Sequence, residues 1–260
     1  MPSLAELRTK RAYDCRLTKD RALQTIDEAD EFLRDRRMLT LTTDSTLPSL
    51  FGACHEEPYQ AGKSGFGSWP KTKWRWGGEL AQRPRVYLAK IRKGRLLYLS
   101  AEAASVADPL CREALDQAAD GVFGPEAAAV VQHLKSAGPS LLQDIRNELE
   151  LDVKALRSAR EKLEKAGAIV ARETVMPGHE KGHVHSSTLL RWDQVFTARR
   201  KATPEAALED LVVLGVRAAV VAQEDDARAW FTWPVTRGAI ERLLDGRRLA
   251  RPASGWLAVP

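Results

Sequence analysis

The chain of 260 residues is long enough for one large domain or for two to three small ones. Its residues are 44% hydrophobic and 29% charged, as in ordinary soluble globular proteins, and no apolar run reaches the roughly 18–20 residues that span a bilayer. Because the N-terminal sequence MPSLAELRTKRAYDC lacks the apolar core of a signal peptide, we expect a cytoplasmic protein that does not bind a membrane.

The formal net charge of +5 is unevenly distributed along the chain. Between Lys63 and Arg95 the sequence contains ten Lys or Arg residues and one acid, Glu79, so this basic window carries +9 and the rest of the chain −4. Charge concentrated in this way is a stronger sign of a polyanionic partner than a high isoelectric point alone.

The N-terminal part, residues 1–124, is predicted to form a winged-helix-like domain that contains the basic, Trp-rich segment. Its elements are, in chain order, helices over 1–35, a strand at MLTLT (38–42), a long irregular stretch, two strands over 86–100 and a mostly helical stretch over 101–120. The two strands turn at Lys93–Gly94. The glycine and proline residues of Gly121–Pro125 indicate a domain boundary.

The segment 125–196 is predicted to be a central winged helix. Its predicted elements are a helix from Pro125 to Gly138, a helix capped by Ser140, a helix from the cap Asp152 to Gly167, a strand at AIVARETV (168–175), a turn at MPGHEKGH (176–183) and a returning strand at VHSSTLLRW (184–192). Three helices followed by a β-hairpin is the order of a winged helix. Other small α+β domains can also begin with three helices.

The C-terminal segment, 203–260, repeats this plan in a more divergent form and is predicted to be a further winged helix. The sequence PEAA opens both blocks, at Pro125 and at Pro204, and a polar, basic linker (197–205) separates them. Together the three segments predict an α+β, mainly helical fold of tandem winged helix-turn-helix units, and double-stranded DNA is the expected partner.

The third helix of a helix-turn-helix lies in the major groove of DNA. In the central unit its inward positions are predicted to include Val153, Leu156 and Leu163. The predicted outward side chains are Lys154, Arg157, Ser158, Glu161, Lys162 and Lys165, of which we expect Lys154, Arg157 and Lys162 to contact DNA. The alternative is a solvated basic helix face with i,i+4 ion pairs, as in winged domains that bind proteins.

The basic window is the stronger candidate for affinity, because many cations with few acids bind phosphates and release counterions. The expected DNA contacts here are Lys73, Arg75, Arg83, Arg85, Lys90, Arg92, Lys93 and Arg95. Aromatic residues lie among them: Phe66, Trp69, Trp74, Trp76 and Tyr87. Aromatic rings can stack on unstacked bases, but we favour a core role for these side chains.

Neither the histidines nor the cysteines predict a site. His179, His183 and His185 have a spacing conceivable for a metal, but they lie in the predicted turn and returning strand, where we expect a polar surface instead. The three cysteines, Cys15, Cys54 and Cys111, form no Cys-x-x-Cys pair, and we expect buried free thiols. No phosphate-binding loop, nucleophile elbow or zinc-protease motif is present, so we expect no cofactor and no metal.

Four blocks occur in order along the chain: LPSLFGA (47–53), WPKTKWRWGGEL (69–80), RVYLAKIRKGRLLYLS (85–100) and the central winged helix. In this order they resemble the winged-helix DNA glycosylases of the AlkZ and YcaQ type, especially a shorter AlkZ-related branch. The resemblance covers most of the chain. It implies tandem winged-helix units around a basic DNA channel, and metal-independent excision of N7-alkylated purines or unhooking of interstrand crosslinks.

Enzymes of the family that this chain resembles carry Gln-x-Gln or Gln-x-Asp shortly before the segment similar to LPSLFGA. In that place this chain reads MLTLTTDST (38–46) and has neither glutamine. Since an N7-alkylated purine is a good leaving group, an amide or carboxylate that positions a water and stabilises charge on the sugar would suffice. Asp44, with Thr42 two residues earlier, could substitute as the catalytic pair. Alternatively, Asp44 is a turn or cap residue before Leu47-Pro48.

The sequence therefore leaves several functions open. The first is a monomeric DNA-binding protein related to AlkZ-type glycosylases, acting on alkylated or crosslinked duplex DNA. The second is a non-catalytic DNA binder, such as a regulator or a protein that senses or shields damage. The third is a winged-helix module that binds another protein.

Overall fold

A computed structural model describes residues 2–175 and 185–260 of the chain. These residues form eleven α-helices: α1 (Leu4–Asp14), α2 (Ile26–Arg36), α3 (Trp76–Ala81), α4 (Ala101–Ala119), α5 (Pro125–Ala137), α6 (Leu142–Glu148), α7 (Val153–Ala166), α8 (Trp192–Val195), α9 (Pro204–Ala219), α10 (Glu224–Ala229) and α11 (Arg237–Asp245). They also form nine strands: β1 (Met38–Thr40), β2 (Val86–Arg92), β3 (Arg95–Ser100), β4 (Ser140–Leu141), β5 (Ile169–Val175), β6 (His185–Arg191), β7 (Val221–Gln223), β8 (Ala250–Ala253) and β9 (Trp256–Ala258).

The helices α5 and α7 begin and end at the residues that their sequences predict. Pro125 opens α5, and Gly138, with a φ of +83°, follows its end. The carboxylate of Asp152 accepts a hydrogen bond from the Ala155 amide at 2.7 Å and so caps α7, which ends at Gly167 in the left-handed conformation. The predicted α+β, mainly helical fold class is confirmed.

Two local predictions were wrong. Ser140 does not cap a helix, because Ser140 and Leu141 form the short strand β4, which pairs with β6. The helix α6 begins only at Leu142. Val153 was predicted to point inward, but 65% of its surface is exposed, because it is the first residue of α7 and precedes the buried Leu156.

The described strands form three small sheets that share one topology. Their strand orders are β1-β3-β2, β4-β6-β5 and β7-β9-β8, so the last strand of each set is always central. In the second and third sets the elements also follow one sequence: a long helix, a short strand, two helices and two strands. The predicted turn 176–183 lies outside the described residues.

Packing divides the chain into two compact units. The first contains Met1–Leu88, Leu96–Val106 and Leu208–Pro260, and the second contains Ala89–Arg95 and Ala107–Ala207. A buried cluster of the first unit comprises Leu23, Ala29, Phe32, Leu33, Leu39, Leu50, Phe51, Ala53, Leu80 and Tyr98. Within residues 2–175 and 185–260, none of the helices has both the length and the apolar character required to cross a membrane.

Two helical glycines differ sharply in the space around them and provide a matched test of core packing. A Cβ atom at Gly215 in α9 would lie 2.7 Å from the ring of Trp230, whereas a Cβ atom at Gly78 in α3 would meet no atom within 4 Å. We expect Gly215→Ala to lower the free energy of unfolding by about 1–3 kcal/mol through overpacking. We expect Gly78→Ala to leave it unchanged or raise it by up to about 1 kcal/mol, because alanine favours helices.

Urea denaturation of both variants and the parent measures this difference. A Gly215→Ala variant as stable as the parent would show that the indole ring of Trp230 can move aside without loss of packing.

Candidate nucleic-acid interface

The hairpin of β2 and β3 exposes cations at its turn. Lys93 and Gly94 both have positive φ angles, +52° and +84°, as a two-residue type I′ turn requires. Lys93 and Arg95 are exposed, whereas only 7% of the Arg92 surface is accessible. Of these three cations, Lys93 and Arg95 are therefore the ones that a phosphate can reach from solvent.

Lys90, on the same hairpin, has an internal partner. Its ammonium lies 2.7 Å from the carboxylate of Glu164, which is 3% exposed and which also accepts a hydrogen bond from Arg160 at 3.3 Å. A buried carboxylate needs such cationic partners, because burial of an unpaired charge is costly. Lys90 thus stabilises the packing of α7 within the second unit.

The remaining predicted cations of the window divide into paired and exposed side chains. The Lys73 ammonium donates to the carbonyl of Leu23 at 2.7 Å, and Arg83 lies 2.7 Å from the carboxylate of Asp27. Arg75 and Arg85 are exposed. Arg75 and Arg85 are therefore accessible to a ligand, while Lys73 and Arg83 already have partners within the protein.

The outward face of α7 is exposed, as predicted. Lys154, Arg157 and Lys162 all lie on the surface, opposite the buried side chains Leu156, Ala159 and Leu163. Arg157 pairs with the exposed Glu161 at 2.9 Å, and the Lys162 ammonium donates to the carbonyl of Phe123 at 3.1 Å. An exposed i,i+4 ion pair contributes only about 0.3–0.5 kcal/mol, so a phosphate can displace Glu161 from Arg157.

The segment with Thr42 and Asp44 is a partly buried bend that follows β1. The amide of Asp44 donates to the carbonyl of Thr42 at 3.0 Å, and the hydroxyl of Thr40 donates to the same carbonyl at 2.8 Å. Asp44 itself is exposed. The bend is held on one side by Thr40, which is buried and pairs in parallel with Ser49.

Asp226, which was not among the site residues predicted from the sequence, holds the other side of this bend. Asp226 of α10 accepts hydrogen bonds from the amide of Thr46 at 2.8 Å, from the hydroxyl of Thr46 and from the indole of Trp230 at 3.0 Å. The guanidinium of Arg11 donates to the carbonyls of Thr46, at 2.7 Å, and Ala219, at 2.9 Å. Asp226 follows Asp225 in an acidic run, and nothing local distinguishes the two.

The aromatic residues of the window lie between core and solvent. Trp69 and Trp76 pack against the core cluster of the first unit, which agrees with the predicted core role. Tyr87 is half-buried. Phe66 is 45% exposed and so departs from that prediction. Trp74 is partly buried and lies 5.4 Å from Phe66 between ring centroids.

The other residues considered in the sequence do not form a site. The cysteines Cys15, Cys54 and Cys111 are buried free thiols, as predicted, and burial raises the pKa of Cys54 to about 12. His179 and His183 lie outside the described residues. In the part of the chain that the structure describes, no three His, Cys, Asp or Glu side chains are close enough together to hold a metal ion.

These features define a mainly helical α+β protein with exposed cations on a hairpin turn and on a helix face. Neither a protein-family model nor a curated protein sequence matches the chain. Its structure is similar to that of the Streptomyces sahachiroi DNA glycosylase AlkZ, with a TM-score of 0.57 and 13% sequence identity. The match covers 96% of this chain and 67% of that chain, and it shows a shared fold.

The role of Asp226 can be tested against its neighbour in the same helical turn. We expect Asp226→Ala to lower the free energy of unfolding by about 1–3 kcal/mol, because it leaves donors of Thr46 and Trp230 without an acceptor. Asp225, whose side chain is 99% exposed, provides the control, and Asp225→Ala should change stability by less than about 0.5 kcal/mol. Hydrogen exchange over 42–47 should accelerate in Asp226→Ala alone. Equal exchange in both variants would contradict the conclusion that Asp226 holds the bend in place.

Proposed function

We propose that the protein binds double-stranded DNA through winged-helix units. The shared order of helices and strands in 125–196 and 203–260, and the matching sheet order in 1–124, support this interpretation of the three segments. In a winged helix the third helix enters the major groove and the hairpin contacts the flanking backbone. α7 is the third helix of the central segment, and β2–β3 is the hairpin of the first.

The observation that carries the proposal is the exposure of cations on α7, at the turn of β2–β3 and in the segment that precedes β2. The exposed cations among the sequence-predicted contacts are Arg75, Arg85, Lys93, Arg95, Lys154, Arg157 and Lys162. We assign phosphate contacts to them. We assign no phosphate contact to Lys73, Arg83, Lys90 and Arg92, because the first three have partners within the protein and Arg92 is buried. The fold shared with a DNA glycosylase supports the same partner.

Binding to a short duplex should weaken steeply with salt, since each phosphate contact releases counterions. We expect Lys93→Glu/Arg95→Glu to reduce the slope of log affinity against log salt by about 2, because each lost contact contributes roughly 0.9. Fluorescence anisotropy with a labelled duplex measures the slope. Lys19→Glu/Lys135→Glu, two exposed lysines outside the proposed surface, provides a control with the same change in net charge.

A parent protein whose binding is insensitive to salt would contradict the proposal and favour a module that binds proteins. An equal loss in both double variants would show that net charge, and not the hairpin turn, governs affinity.

A second candidate function is hydrolysis of the N-glycosidic bond of an N7-alkylated purine. The exposed Asp44 on a bend fixed by Thr40 and Asp226 favours it, because a catalytic carboxylate needs a defined position. Water would form the new bond to C1′ of the sugar, and the C1′–N9 electrons would neutralise the departing cationic base. Asp44 would orient this water, accept its proton and stabilise the positive charge that develops on the sugar. The alternative is a non-catalytic DNA binder.

Release of N7-methylguanine from methylated duplex DNA, measured by mass spectrometry, distinguishes a glycosylase from a non-catalytic DNA binder. If Asp44 is the catalytic carboxylate, Asp44→Ala should reduce release by at least about 100-fold, as is usual for a general base. Asp116→Asn, at an exposed carboxylate of α4, should retain activity. Base release at only the spontaneous rate with stoichiometric parent protein would leave DNA binding as the function.

A further inference from the structure

Residues 57–71 form a largely exposed arm whose two sides are joined by backbone hydrogen bonds. The amide of Tyr59 donates to the carbonyl of Trp69 at 2.7 Å, the amide of Gln60 to Gly67 at 2.8 Å and the amide of Lys71 to Glu57 at 2.9 Å. Gly62 and Gly65 adopt positive φ angles, +72° and +62°, where the chain reverses. We call this segment the aromatic arm.

The root of the aromatic arm is held by a single carboxylate. Glu56 accepts hydrogen bonds from the amides of Thr72 and Lys73, at 3.1 and 3.0 Å, and from the hydroxyl of Thr72. Although burial opposes the shift, these hydrogen bonds lower the pKa of Glu56 below its ordinary value. Glu56 is therefore ionised at neutral pH, and its hydrogen bonds hold the two ends of the arm next to each other.

A row of aromatic rings leads from the core to the exposed side of the arm. Phe51, which is 8% exposed, lies 5.4 Å from Trp69 between ring centroids, and Trp69 lies 5.1 Å from Phe66. Phe66 in turn lies 5.3 Å from Tyr59. The last two rings are 45% and 48% exposed. Closure of the loop does not require two neighbouring rings in water, and adjacent exposed apolar side chains are typical of binding surfaces.

The charges around the exposed rings favour an anionic ligand. Lys63 and Lys71 of the arm are exposed, and Glu57 is the only acid in its sequence. The exposed Arg75 places its guanidinium 5.0 Å from the ring of Trp74, which neighbours Phe66. Rings bordered by cations are what a strand of nucleic acid with unpaired bases requires, since its bases stack on aromatics and its phosphates bind cations.

We propose that the aromatic arm binds unpaired nucleobases, with Phe66 and Tyr59 as the stacking surface and Lys63, Lys71 and Arg75 as phosphate contacts. The proposal rests on the proposed DNA binding and adds the form of DNA that is preferred. In a fully paired duplex the faces of the bases are covered by their neighbours. A locally opened or single-stranded segment exposes them, and stacking accepts any base.

Fluorescence anisotropy with a short duplex and with the same duplex opened by a central unpaired bubble tests the proposal. The parent should bind the bubble more tightly. Loss of one stacking ring in Phe66→Ala or Tyr59→Ala should weaken bubble binding by about 5- to 150-fold while binding to the paired duplex and its salt slope stay unchanged. Phe66→Trp keeps a stacking ring at this position and should retain the preference for the bubble over the paired duplex.

Two controls guard against a general loss of structure. Tyr13→Ala removes an exposed ring of the first unit that lies under the guanidinium of Arg21 and outside the arm, so it should not change bubble binding. Unfolding midpoints of all variants report whether the fold is retained. If Phe66→Ala unfolds, Tyr59→Ala, whose ring lies at the end of the row, decides the outcome.

The possible failures are distinguishable. Equal affinity of the parent for paired and opened DNA, or unchanged bubble preference in both alanine variants, would overturn the arm proposal and leave duplex binding intact. Failure of the parent to bind either DNA would overturn both. Binding of the parent to phosphatidylcholine–phosphatidylglycerol vesicles that is lost in Phe66→Ala, with bubble binding unchanged, would assign the arm to a lipid surface instead.

Discussion

The fold depends on the pairing of a very short strand with a strand far along the chain, three times over. Met38 pairs with Leu99 in the first sheet, Ser140 with Leu189 in the second and Val221 with Ala258 in the third. Because the returning strand is central in each sheet, the other strand of the hairpin lies at an edge. This pairing joins each short strand to a hairpin that follows it in the chain, and in the first sheet it leaves the turn at Lys93 and Gly94 exposed.

The sequence predicted elements whose ends are encoded locally and failed where the partner is distant. Pro125, Asp152 and Gly167 mark helix ends through their own backbone preferences, and the structure agrees. Ser140 has the side chain of a helix cap, yet it lies in a strand because residues of β6, almost fifty positions later, supply its hydrogen bonds. A strand of two residues has no periodicity by which a sequence pattern could reveal it.

The same distinction applies to the candidate site. Charge density located the basic window, because clustered cations are visible in the sequence itself. It did not separate the exposed Lys93 from the neighbouring Arg92, which is 7% exposed, or from Lys90, whose partner Glu164 comes from α7. Asp226 was missed because its contact with Thr46 joins residues 180 positions apart. The local pattern gives the composition of a surface, whereas tertiary packing decides which side chains remain accessible.

The C-terminal segment packs against the N-terminal part of the chain, which its resemblance to the central segment (125–196) does not suggest. Its residues Val220, Val221 and Ala258 form one buried cluster with Leu7 and Cys15 of the N-terminal part. Arg11 and Asp226 extend this packing to the carbonyl and the amide of Thr46. Since Thr46 ends the bend that carries Asp44, the third segment supports the one position where base chemistry is proposed. Any activity of that bend therefore depends on residues 208–260 even if these residues never contact DNA.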